Sequence, residues 1–94
     1  MAYLMVKQTV EDYAKWKPAF DEHGSTRKAA GSKGAQVFQS VDEPNEVTVL
    51  LEWDSVENAR KFSESTSLRE VMQKAGVLGR PSIAFMNEVE KQSQ

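Results

Sequence analysis

Tyr13, Trp16, Phe20, His23 and Arg27 recur at alternating steps of three and four residues, which places all five on one stripe of a helix. A stripe carrying three aromatic rings must be buried against something, and the chain around it is rich in strand patterns. Ala2 to Gln8 reads as a strand with apolar residues on both faces, Leu4 and Val6 on one and Tyr3 and Met5 on the other. Thr9 with Asp12 forms a capping-box pattern ahead of the stripe. Pro18 lies inside the stripe, lacks a backbone donor and crowds the Ala14 carbonyl, so one kinked helix is expected, ending near Gly31 to Gly34.

Ala35 to Val41 and Glu46 to Trp53 are β-rich runs joined by Asp42, Glu43, Pro44 and Asn45, the chemistry of a hairpin turn. In the second run Val47, Val49, Leu51 and Trp53 share one face, and Thr48, Leu50 and Glu52 the other. Asp54 with Glu57 is expected to start a helix bearing Val56, Ala59 and Phe62. Ser67 with Glu70 is expected to start another, bearing Leu68, Val71, Met72 and Ala75 and ending at Gly76. Gly79, Arg80 and Pro81 then release the chain into a last strand, Ser82 to Val89. The order is β-α-β-β-α-β, the ferredoxin-like α+β arrangement of a four-stranded antiparallel sheet with helices on one face. Because the strands carry apolar residues on both faces, a second copy is expected to cover the open face and form a dimeric α+β barrel.

With 94 residues the chain is expected to be one domain, 1–94, whose polar end, residues 89–94, frays. Twelve basic and fourteen acidic residues leave a net charge of -2, which disfavours nucleic acid as a partner. The absence of cysteine excludes disulfides, thiol nucleophiles and Cys-ligated metals. A single histidine and scattered carboxylates such as Asp12, Asp21 and Glu22 do not converge on a metal ion. No apolar run approaches membrane-spanning length and Ala2 to Val6 lacks the flanks of a leader, so no membrane partner and a cytoplasmic location are expected.

The segment Leu51-Glu52-Trp53-Asp54-Ser55-Val56-Glu57-Asn58-Ala59-Arg60-Lys61-Phe62, followed by Ser65 and Leu68, resembles the strand-to-helix pattern of the dimeric α+β barrel superfamily, in particular its antibiotic biosynthesis monooxygenase-like group. The stripe of Tyr13, Trp16, Phe20 and His23 is similar to that of small cyclase-labelled members. The resemblance spans most of the chain and implies a pocket between sheet and helices, used in that group by oxygenases that need no cofactor and act on phenolic substrates. In such chemistry a base deprotonates an electron-rich phenol, the anion passes an electron to oxygen, and an apolar wall excludes water. Haem-degrading relatives use an axial histidine from the later helical region; this chain has none after His23, and Phe62 stands where some members carry histidine or tryptophan.

His23 is the only side chain whose ordinary pKa suits a base at neutral pH, and it is the expected catalytic residue. Trp16, Phe20, Phe38, Trp53 and Phe85 are expected to line a substrate pocket, with Tyr13 or Asn58 as a further polar contact. Aromatic rings at helical spacing also serve as plain core, and a histidine late in a helix also serves the helix dipole. Arg27, Lys28 and Lys33 read first as a solvated helix end and second as a receiver for an anionic group at the pocket mouth. The expected function is binding of a small apolar or aromatic ligand by a homodimer, with cofactor-independent monooxygenase or cyclase chemistry. The alternatives are a non-catalytic metabolite-binding or structural module and an isomerase or decarboxylase in the same pocket. A catalytic pocket predicts roughly 300 Å³ or more near His23 with converging polar groups; a structural module predicts close packing there.

Overall fold

The first strand, β1 (Ala2–Val10), is longer than its apolar run, because its alternation continues through Gln8 and Val10. Ala2, Leu4, Val6, Gln8 and Val10 all point to one buried face, and Thr9 pairs within the sheet instead of capping a helix. The computed structural model describes residues 2–93, with β2 (Ser32–Gln39), β3 (Glu46–Trp53) and β4 (Val77–Asn87) completing an antiparallel sheet in the order β2-β3-β1-β4. Leu4 stands between Leu51 and Phe85, and Val6 between Val49 and Ile83, so strand partners present matching apolar sets to the same side.

Four helices cover that side: α1 (Tyr13–Glu22), α2 (Gly24–Ala30), α3 (Val56–Ser63) and α4 (Thr66–Ala75). The ferredoxin-like α+β fold is therefore present, with each helical crossover in two pieces. The core beneath the helices comprises the inward β1 and β3 residues with Trp16, Ala59, Phe62, Leu68 and Ala75.

Local chemistry differs from expectation at several boundaries. Helix α1 is not kinked into α2 at Pro18; the chain divides at His23, whose backbone (φ -80°, ψ -2°) leaves helical geometry. Pro18 and Ala14 both face solvent, so water can take the carbonyl that the missing proline donor leaves. Asp12, Ser55 and Ser65 are the N-caps, each accepting a backbone N–H in the first turn. Asp54 and Ser67 are committed elsewhere: the Asp54 carboxylate accepts from Asn58 Nδ2, and the Ser67 hydroxyl meets His23. β2 begins at Ser32, three residues before its expected start, and β4 at Val77, with Gly79, Arg80 and Pro81 absorbed into it as a bulge between the Lys7 and Thr9 pairings. β4 ends at Asn87; residues 88–93 are exposed without regular structure, and Gln94, the last residue of the expected frayed tail, lies outside the described residues. No described helix is long and apolar enough to cross a membrane.

The junction between α2 and β2 positions the site. Gly31 closes α2 in the left-handed region (φ 119°), and its carbonyl accepts from the Asp54 N–H at 3.0 Å. A methyl group at Gly31 meets Asp54 Oδ1 at 2.7 Å and Asn58 Nδ2 at 3.0 Å. Gly31→Ala is therefore expected to lower stability by about 1–3 kcal/mol, read as a reduced urea midpoint with unchanged slope.

Candidate functional site

Six elements meet over the middle of the sheet: the end of α1 with α2, the facing helices α3 and α4, and β1 and β3 beneath. Between them lies a cavity with about 40 Å³ open to the centre of a water-sized sphere, room for roughly three waters at ~10–15 Å³ each. Its wall is mostly apolar, from Val6, Val49, Leu51, Trp16, Phe20, Phe62, Leu68, Val71, Met72 and Ala75. Three polar side chains break it: Gln8, His23 and Arg27.

His23 is 6% exposed. Its Nε2 lies 3.1 Å from the exposed Ser67 hydroxyl and its ring sits 5.7 Å from that of Phe62. No hydrogen bond reaches Nδ1 among the described residues. Burial lowers the imidazole pKa from its ordinary value, and the Arg27 charge lowers it further, so His23 is neutral at pH 7 and able to accept a proton.

Arg27 is 8% exposed although its helix end reads as solvated. The break at His23 leaves the Phe20 carbonyl without a helical donor, and Arg27 Nη1 supplies one at 2.8 Å. The guanidinium lies 3.8 Å over the Phe20 ring, a cation–π contact that offsets part of its desolvation. Burial lowers its pKa and the Asp21 charge opposes that shift; an arginine so placed remains a cation. Gln8 is the one polar member of the inward β1 set, and its Oε1 is buried without a partner among the described residues.

Of the residues expected in the pocket, His23, Trp16 and Phe20 line it. The rings of Trp16 and Phe20 stack at 5.0 Å, and Tyr13 packs on the outer side of Trp16 at 5.9 Å, outside the lining. Trp53 is fully buried behind Phe62 and belongs to the core. Phe85 is on the helix-facing side but lies under Arg60, 4.6 Å from its guanidinium. Asn58 is held by Asp54 against Gly31. Phe38 is on the opposite face of the sheet, paired with Thr48 and half exposed, because strand alternation sends Val37, not Phe38, toward the helices. Gln8 and Ser67 carry no site reading in the sequence, and Arg27 carries only the secondary one of a receiver for an anionic group at the pocket mouth. The available signal for Gln8 was the continuation of the alternation to Val10, which puts an amide among inward residues.

The cavity has the converging polar groups expected of a catalytic pocket and a volume nearer to that of a packed core. No grouping of three or more His, Cys, Asp or Glu side chains suited to a metal ion occurs among the described residues.

Comparison with known proteins places this geometry in a family. A protein from Bordetella bronchiseptica that carries the name antibiotic biosynthesis monooxygenase shares the fold with a TM-score of 0.81 at 17% identity, over 95% of this chain and 97% of that one. SnoaB, a cofactor-independent oxygenase from Streptomyces nogalater, aligns with a TM-score of 0.79 at 10% identity, over 99% of this chain and 97% of SnoaB. A Caulobacter crescentus protein with the same family name aligns at 0.74 and 18% identity, over 95% and 90%. No curated protein matches the sequence. The sequence model of antibiotic biosynthesis monooxygenases matches residues 1–74, most of the strands and helices that enclose the cavity, and the chain belongs to that family.

Proposed function

We propose that the chain is a cofactor-independent monooxygenase or cyclase that takes a small, largely apolar phenolic substrate into the His23 cavity. The observation that carries this reading is a buried neutral imidazole beside a buried cation in an apolar wall. With Nε2 engaged by Ser67, Nδ1 is the nitrogen left to take a phenolic proton, and the exposed Ser67 hydroxyl offers that proton a route to solvent. The positive charge of Arg27 at the cavity edge favours the anion so formed, and an apolar enclosure keeps water from it while it gives an electron to dioxygen. The shared fold with SnoaB, itself a cofactor-independent oxygenase, supports the reaction class. The restricted volume favours one competing reading, a non-catalytic module whose cavity is an imperfectly filled core.

The working unit in this proposal is a cytoplasmic homodimer. The sheet face away from the helices carries Met5 between Leu50 and Ala84, Tyr3 beside Met86, and Phe38. Met86 is 39% and Phe38 52% exposed, an apolar centre that a second copy's sheet would cover. Met5→Lys, which sets a charge at the centre of that face, is expected to convert a dimer into a folded monomer in sedimentation; an unchanged mass that is already monomeric removes the dimer.

Because the chain has one histidine, proton NMR reads His23 directly. Its ring is expected to titrate below the ~6.5 of a free imidazole and to shift when 4-ethylphenol is added. A phenol that is turned over is expected to draw down dissolved oxygen, with His23→Gln slowing the reaction about 10²–10⁴-fold. If no phenol moves the ring signals or consumes oxygen, the non-catalytic reading stands. The lowered pKa also links to stability: the unfolded chain binds the proton more tightly, so this contribution is complete above about pH 6.5 and is lost as pH falls through the folded value. His23→Gln is expected to flatten that part of the stability profile in urea titrations.

A further inference from the structure

Arg27 borders two spaces. One is the His23 cavity; the other is an outer basin of about 430 Å³ lined by Gly24, Arg27, Lys28, Ser32, Lys33, Gly34 and Ala35. Its guanidinium is held by the Phe20 carbonyl and ring. Gly24 makes room for it: a Cβ there lies 3.4 Å from Nη2.

Five N–H groups belong to this guanidinium, and the Phe20 carbonyl is the only protein acceptor they meet among the described residues. No carboxylate comes within ion-pair distance of it among those residues either. A buried cation is ordinarily paired, since its desolvation is otherwise uncompensated. The basin repeats the deficit, for its lining holds three cations and no carboxylate, and the nearby Glu52 Oε2 is 3.8 Å from the Cβ position of Gly34. Within the cavity, Gln8 Oε1 is a buried acceptor that lacks a donor.

We propose that the cavity and the basin form one two-part site for a hydroxyaryl carboxylate, its ring and hydroxyl taken inward and its carboxylate held at Arg27 with Lys28 and Lys33 on the basin side. The proposal rests on the cavity being a ligand site and adds the charge class of the ligand. An ionised carboxylate matches the planar fork of arginine with two hydrogen bonds. Before it yields its proton to His23, the hydroxyl supplies the donor that Gln8 lacks. Arg27, which lines both spaces, is the side chain through which the two parts meet.

The test compares 4-hydroxybenzoate, the neutral isostere 4-hydroxybenzamide and 4-ethylphenol on the full chain, with binding followed through the His23 ring signals. The acid is expected to bind at least about tenfold more tightly than the amide, with a preference that shrinks as salt rises. Arg27→Met keeps an apolar stack on Phe20 and is expected to abolish the preference while amide binding persists. The double variant Lys28→Gln with Lys33→Gln, confined to exposed positions, is expected to reduce the preference severalfold and leave the amide unchanged. If Arg27→Met does not fold, this double variant and the wild-type ratio decide. Equal binding of acid and amide, or a preference indifferent to both sets of substitutions, overturns the proposal. A phenol that shifts His23 without any preference for the acid overturns only this inference, whereas silence toward all three ligands overturns the cavity's role as a ligand site as well.

Discussion

The alternation of β1 is the constraint on which the rest of the structure depends. This strand lies between β3 and β4, so its inward set of Ala2, Leu4, Val6, Gln8 and Val10 fixes which residues of both neighbours face the helices. A slip of one residue would exchange that set for Tyr3, Met5, Lys7 and Thr9, placing a lysine under Trp16 and the apolar residues in solvent. The same alternation delivers one amide to the floor of the cavity, where the remaining wall is apolar. Register thus sets the core and the polarity of the site together.

The second determinant is the division of the first crossover at His23. An uninterrupted helix would use the Phe20 carbonyl for its own ladder and leave Arg27 to find water. With the ladder broken, the carbonyl faces Arg27, the guanidinium settles on the Phe20 ring, and its charge helps to keep His23 neutral. Phe20, His23 and Arg27 share one stripe in the sequence, and the break is what turns a stripe into a cluster.

Much of the architecture was legible in the residue pattern. The hairpin strand Glu46–Trp53, the antiparallel sheet and the inward positions of Trp16, Phe20 and His23 follow from period and spacing alone. The less legible features are those in which one local signal has two outlets. Ser67 and Asp54 each resemble a cap by spacing, but a nearby serine takes that duty, leaving Asp54 to hold Asn58 within the same helix start and Ser67 to meet His23 across the fold. Phe38 resembles a pocket residue by chemistry, yet alternation within β2 places it opposite Thr48 on the face away from the helices, while Val37 takes the inward position opposite Val49. Arg27 resembles a solvated end because a helix break has no simple sequence signature when the residue at the break is histidine.

The irregularities at the sheet margins have a consequence for how the molecule meets its own kind. The outer strands are β2 and β4, and each is interrupted: β2 by the bulge at Lys33, β4 by the bulge of Gly79, Arg80 and Pro81. Unpaired strand margins invite further chains to add on without limit, and a charged residue, a proline and a local kink are the features that discourage such addition. With both rims blunted, growth along the hydrogen-bonding direction is disfavoured and the flat apolar surface is the remaining route to self-association. A contact in which two copies covered that surface for each other, as proposed above, would use it up, so assembly by this route would close at two copies in place of extending into a filament.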